Sequence, residues 1–84
     1  MELILRALAN SNRLKLLKEC KRGKSFSVSD AAALLHITSS AASRHLQSLE
    51  NAGILKSTKR GLFVTYRLSL AGIPQWVKGV IREL

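Results

Sequence analysis

Apolar residues recur at a helical period through most of the chain and switch to a strand period near Ile54. Leu3, Ile4 and Leu8 share one face of a short helix over residues 2–9. Asn10 and Ser11 supply a cap. A second helix then runs from about Asn12 to Cys20 with Leu14, Leu17 and Leu16 turned inward. Lys15, Lys18 and Lys21 fall on its open side and toward its C-terminal end, where cations are favoured. After a basic turn closed by Gly23, Phe26 to Val28 reads as one brief strand. Ser29 fits an N-cap, and Asp30 suits the first turn of a third helix, Asp30 to Leu35. Alanines at 31, 32 and 33 permit the close approach of another helix. Thr38 caps a fourth helix, from Ser39 to about Ala52, and Gly53 ends it. Ala42, Leu46 and Leu49 form its inward stripe. Ser40, Ser43, Arg44, Gln47 and Asn51 face outward, with Glu50 to the side.

Beyond Ile54 the alternation predicts a strand over Ile54 to Thr58, a hairpin tip at Lys59-Arg60-Gly61 and a return strand from Leu62 to Leu68. Leu62, Val64, Tyr66 and Leu68 lie on one side of the return; Phe63, Thr65 and Arg67 lie on the other. Gly61 supplies the positive φ a tight loop needs. A last helix spans about Pro74 to Leu84, with proline at its first position. Ile73, Trp76, Val77, Val80, Ile81 and Leu84 make a continuous apolar stripe along it. The predicted order is α-α-β-α-α-β-β-α, an α+β fold that is mostly helical. The stripe offers more apolar face than so small a core can use, so a second subunit is its natural cover.

Composition sharpens this picture. The 84 residues suffice for one domain. Fourteen Lys and Arg against five Asp and Glu give a formal net charge of +9. Such a body repels itself, and a polyanion relieves the repulsion. Nucleic acid ranks first among such partners and an anionic membrane a distant second. No apolar run approaches the ~20 residues of a membrane span, Glu2 and Arg6 interrupt the apolar start, and Cys20 stands alone. These features predict a cytoplasmic protein without a disulfide framework. An enzyme with a deep cleft needs more chain. No Gly-rich phosphate loop or Ser–His–acid spacing is present, and no cofactor is expected.

Two short helices, a tight turn and a basic hairpin follow the order of a winged helix-turn-helix. An α-helix fits the major groove of duplex DNA. The helix from Ser39 offers small hydroxyl residues, Ser39, Ser40 and Ser43, that allow close backbone approach. Arg44 suits guanine or a phosphate, and Gln47 suits adenine. His45 sits at the edge of this surface. Lys59 and Arg60 reach the DNA backbone or the adjacent minor groove, and Arg13, Lys15 and Lys56 add phosphate contacts. Taken singly, a serine-rich helix start is as well explained by capping, and Lys59 and Arg60 by a solvated hairpin tip; the net charge favours nucleic acid. A non-specific architectural binder and a protein-interaction module remain as alternatives. Cys20 reads either as a small buried hydrophobe or as a redox thiolate beside Lys18, Lys21 and Arg22. His36 and His45 lack the further ligands a metal site needs.

The sequence resembles the ArsR/SmtB-type winged-helix repressors. Residues 7–14, ALANSNRL, resemble that family's opening ALANPTRL, and residues 38–46, TSSAASRHL, resemble its recognition helix SQPTVSRHL. Residues 47–55 continue in the family's manner, and Tyr66-Arg67-Leu68 resembles its YYRL at the end of the wing. The resemblance covers nearly all of residues 3–70. It implies a homodimeric, sequence-specific regulator of double-stranded DNA, joined through its first and last helices. Leu3, Ile4, Trp76, Val77, Val80, Ile81 and Leu84 are then the dimerisation residues. Metal-sensing members carry CVC before the third helix, whereas Ser27-Val28-Ser29 stands here. Hydroxyls are poor ligands for soft metals, and the last helix offers no His, Asp or Cys, so no metal is expected. The family's glycine in the turn is His36 here, which predicts a left-handed backbone at that residue.

Overall fold

The computed structural model describes residues 2–84. Among the described residues are five helices and a two-stranded antiparallel wing: α1 Glu2–Leu8, α2 Ser11–Cys20, α3 Val28–Leu35, α4 Ser39–Asn51, β1 Leu55–Arg60, β2 Phe63–Leu68 and α5 Gln75–Arg82. The starts of α2, α3 and α4 are each fixed by a side-chain cap. The Asn10 side chain accepts from the Asn12 and Arg13 amides at 3.0 and 3.2 Å and caps α2. Thr38 Oγ1 accepts from the Ala41 amide at 3.1 Å and caps α4.

The start of α3 differs from the sequence expectation. Ser27, not Ser29, is the N-cap: its hydroxyl accepts from the Asp30 amide at 3.1 Å, and the Asp30 carboxylate accepts from the Ser27 amide at 3.2 Å. This capping box satisfies two otherwise orphaned donors, so the helix begins at Val28. The strand expected over Phe26–Val28 is therefore reduced to a single antiparallel bridge from Phe26 to Tyr66.

The turn between α3 and α4 contains His36 at φ 54° and ψ 46°, the left-handed conformation expected of it. The Ile37 amide donates to the Ala32 carbonyl across the turn at 3.1 Å. A side chain bearing Cβ is strained there. Replacing His36 by Gly is expected to stabilise the fold by about 0.5–1 kcal/mol, read as a higher urea midpoint at unchanged slope. At the other end of α4, the Gly53 amide bonds the Glu50 carbonyl and the Ile54 amide the Leu49 carbonyl, with Gly53 at φ 80°. These are the paired bonds of a Schellman motif, and they turn the chain sharply into the wing.

Leu16, Leu17, Leu46, Leu49, Ile54 and Val77 are the largest fully buried side chains. Ala7, Cys20, Phe26, Ala31, Leu35, Ala42, Leu55, Tyr66, Ile73 and Ile81 complete the core. The inward face of α2 therefore centres on Leu16, Leu17 and Cys20, while Leu14 is half-buried. Ala31 and Ala42 are fully buried on the two helices of the turn, in keeping with the close approach expected of small residues.

The wing pairs Leu55 with Leu68 through to Arg60 with Phe63. The tip is thus Gly61-Leu62, and Lys59 and Arg60 belong to the strand instead of the turn. Gly61 lies at φ 61°, and the only non-glycine residue at positive φ among those described is His36. That combination is the pattern of a type II′ hairpin, which places glycine first and leaves Leu62 at the apex. Leu62 is 97% exposed and does not join Val64, Tyr66 and Leu68 against the core. Pro74 precedes α5 as its N-cap, one position earlier than expected.

Candidate nucleic-acid interface

Helix α4 is anchored from behind and open in front. Ala42, Leu46 and Leu49 are 0% exposed. Ser39, Ser40, Arg44, Gln47 and Asn51 on the opposite side are exposed, and Ser43 is half-buried. The Gln47 amide donates to Ser43 Oγ at 3.4 Å, a loose bond that leaves the amide able to turn toward a base edge. No part of the described chain covers this face.

Arg13 and His45 stand apart from that surface. Arg13 Nε donates to His45 Nδ1 at 3.1 Å, and Arg13 Nη1 donates to the Arg6 carbonyl at 3.0 Å. The guanidinium thereby ties the last turn of α1 to α4. Partial burial, then the nearby Arg13 and Arg44 charges, lower the His45 pKa below its ordinary value. A neutral imidazole is what allows Nδ1 to accept the bond. Arg13 and His45, both read from sequence as DNA contacts, are thus half-buried and engaged with each other, and their bond holds α4 in place.

Lys56, Lys59 and Arg60 are exposed on β1. Alternation along the ribbon separates two faces. Leu55, Ser57, Tyr66 and Leu68 turn toward the core. Lys56, Thr58, Arg60, Phe63, Thr65 and Arg67 turn outward, and all six are exposed. Lys56 lies directly opposite Arg67. Two like charges at that register destabilise a free ribbon and favour an anion between them. Arg67 was not singled out from sequence, because its pairing with Lys56 is cross-strand. Lys15 is exposed on α2, in a shallow groove with Lys18, Glu19, Arg22 and Leu34.

The acidic groups near this surface are engaged by neighbouring side chains and amides. Glu19 pairs with Lys24 at 3.1 Å and Arg22 at 3.6 Å, and the Lys24 bond holds its carboxyl below the usual range. Asp30 is occupied in the α3 capping box, and the Glu50 carboxylate accepts from Ser57. The sequence has no acid between Glu50 and Glu83, so the wing carries cations alone.

The terminal helices divide the expected dimerisation residues. Val77 and Ile81 are 0% and 2% exposed and fasten α5 to the domain core, so they are removed from that set. Ile4 and Leu84 are partly buried. Leu3, Trp76 and Val80 remain exposed, as does Leu5, which the sequence reading passed over.

Cys20 is 2% exposed, and burial, with a smaller contribution from Glu19, pushes its thiol up to about 11. The reading as a small buried hydrophobe fits this environment, and the redox thiolate does not. At pH 8 the raised pKa leaves about a hundredfold less thiolate than an ordinary cysteine, so iodoacetamide is expected to label native Cys20 at least that much more slowly than the urea-unfolded chain. Among the described residues no group of three or more His, Cys, Asp and Glu side chains is placed to hold a metal ion, and no helix is long and apolar enough to cross a membrane.

Comparison with known proteins agrees with this geometry. Residues 8–58 match the family model described as a helix-turn-helix domain. The arsenic resistance transcriptional regulator ArsR1 of Pseudomonas putida is 30% identical over 80 residues, covering 95% of this chain and 62% of that protein. The chain thus spans under two thirds of that relative's length. HlyU of Vibrio cholerae is 31% identical, with a TM-score of 0.76 over 95% of this chain and 82% of the other. The transcriptional repressor PagR of Bacillus anthracis is 26% identical, with a TM-score of 0.72 over 94% of this chain and 85% of the other.

Proposed function

Because the chain belongs to the ArsR/SmtB-type winged helix-turn-helix regulators, a family of DNA-binding proteins and not of enzymes, we propose that it acts as a dimeric, sequence-specific repressor at operators of two-fold symmetry. The observation that carries this reading is the α4 surface. Ser39, Ser40, Arg44 and Gln47 are exposed and Ser43 is half-buried, while Ala42, Leu46 and Leu49 are wholly buried behind them. Ser39, Ser40 and Ser43 allow the helix to approach base edges, where Arg44 and Gln47 discriminate between bases. Lys15, Lys56, Lys59 and Arg60 supply phosphate contacts, joined by Arg67 opposite Lys56. Those contacts fix register and weaken steeply with salt.

A two-fold dimer sets its recognition helices about 34 Å apart, one turn of DNA. The exposed apolar residues of α1 and α5, Leu3, Trp76 and Val80, are its proposed contact. The arsenic in the Pseudomonas relative's name does not transfer to this chain. Ser27 caps a helix and Ser29 is exposed, where metal-sensing members carry thiolates.

Selection from a random duplex pool at physiological salt tests the proposal. A palindromic motif with half-sites about 10 base pairs apart is expected. Enrichment without any motif would favour an architectural binder, and no enrichment would favour a protein-docking module. Arg44→Ala is expected to reduce discrimination between the selected motif and its single-base variants by about 1–3 kcal/mol at one position per half-site. An unchanged ranking of variants would remove Arg44 as a base reader.

A further inference from the structure

Leu62 and Phe63 are 97% and 77% exposed, the two most exposed large apolar side chains among the described residues, and they are adjacent at the apex of the wing. Their position is fixed by the hairpin. Gly61 takes the positive φ, Leu62 occupies the apex, and Phe63 stands directly across the ribbon from Arg60 on its outer face. An apolar apex on a soluble domain calls for a partner. The charge around it restricts that partner. Lys59 and Arg60 precede the apex, Lys56 and Arg67 lie behind it, and no acid is found between Glu50 and Glu83. A second copy of this wing would set cation against cation. Duplex DNA meets both requirements, with phosphates for the flanking cations and base faces for the apolar tip. The wing also continues directly from α4 through the Gly53 turn, so it is held beside the helix that reads the groove.

We propose that the wing tip is an apolar wedge, with Lys59 and Arg60 seated on the phosphates that flank the minor groove and Leu62 and Phe63 pressed between the bases of one step, which is partly unstacked and bent. This rests on the reading of α4 as a DNA-binding helix. The minor groove is about 6 Å wide, too narrow for the ribbon itself, so only the side chains at its apex enter, Leu62 first and Phe63 beside it. Apolar wedges of this kind kink a duplex toward the major groove. Bending adds discrimination at positions that no side chain touches, because pyrimidine–purine steps open more readily than others. The wedge therefore predicts a preference for such steps in the flanks of the operator.

The test uses the duplex recovered by selection, prepared as a panel in which each member carries one 2-aminopurine in the flanks. Anisotropy of a terminal dye reports binding, and 2-aminopurine emission reports unstacking. With the wild-type protein, anisotropy rises for all members and emission rises about twofold or more at one step per half-site, with a bend of about 20° or more in a circular-permutation gel. The variant Leu62→Ser with Phe63→Thr keeps its far-UV circular dichroism, since both side chains are exposed. It binds within about tenfold of wild type but loses the emission rise and the bend. Rising anisotropy with flat emission across the panel overturns the wedge and leaves the DNA reading standing. A flat anisotropy for the wild type overturns both. Two further results reassign the tip: binding to phosphatidylserine vesicles that the double variant abolishes, or a change in sedimentation of the free protein in that variant.

Discussion

Trp76→Glu combined with Val80→Glu is expected to weaken binding to a two-fold operator by about 10²–10⁴-fold while leaving binding to an isolated half-site nearly unchanged. The two side chains are 39% and 38% exposed, one helical turn apart on α5. Val77 and Ile81, fully or almost fully buried on the same helix, keep α5 docked whatever happens on its other side. Glutamate at 76 also falls in the first turn, where an acid is tolerated. In a two-fold interface each substitution enters twice through the same self-complementary patch, so the double variant removes apolar contact and places four carboxylates in or near one interface. Linking two half-site contacts is what raises operator affinity above that of a single domain. Anisotropy on full and half operators, with sedimentation velocity of the free protein, reads both consequences. A variant that remains dimeric and keeps its operator affinity would place the interface elsewhere.

Leu46→Ala is expected to destabilise the domain by about 2–5 kcal/mol. Leu46 is 0% exposed at the centre of the stripe behind the reading face, beside the His45 that Arg13 holds. Its truncation leaves a cavity between α4 and the rest of the core. A domain of this size has only about 5–15 kcal/mol to lose, so much of the margin goes with one side chain. Ser40→Ala, on the exposed face of the same helix, is expected to change stability by less than about 0.5 kcal/mol. Urea unfolding followed by circular dichroism separates the two. Equal midpoints for both variants would contradict the assignment of buried and open faces.

The helical period and the caps made much of this architecture legible. Thr38, Gly53 and the stripe Ala42, Leu46, Leu49 stand where the pattern places them, because each depends on neighbours within one or two turns. His36 shows the left-handed backbone that the family resemblance, not the local pattern, implied. Ser27 was misread in favour of Ser29, although Ser27 and Asp30 have the spacing of a capping box; the preceding Phe26 suggested a strand that tertiary pairing reduces to one bridge. Long-range features were the ones missed. Neither the Arg13–His45 bond, 32 residues apart in sequence, nor the Lys56–Arg67 register is written in local spacing. The α5 stripe showed an excess of apolar residues but not which of them the core takes. Only packing separates Val77 and Ile81 from Trp76 and Val80.

Amide chemical-shift mapping during titration with the selected duplex puts the reading of α4 to its most direct trial. The account predicts that the largest shifts fall at Ser39, Ser40, Ser43, Arg44 and Gln47, with a second group at Lys59 and Arg60, while Val77 and Ile81 stay still. Shifts gathered on α5, with the amides of α4 unmoved at saturating DNA, would contradict it.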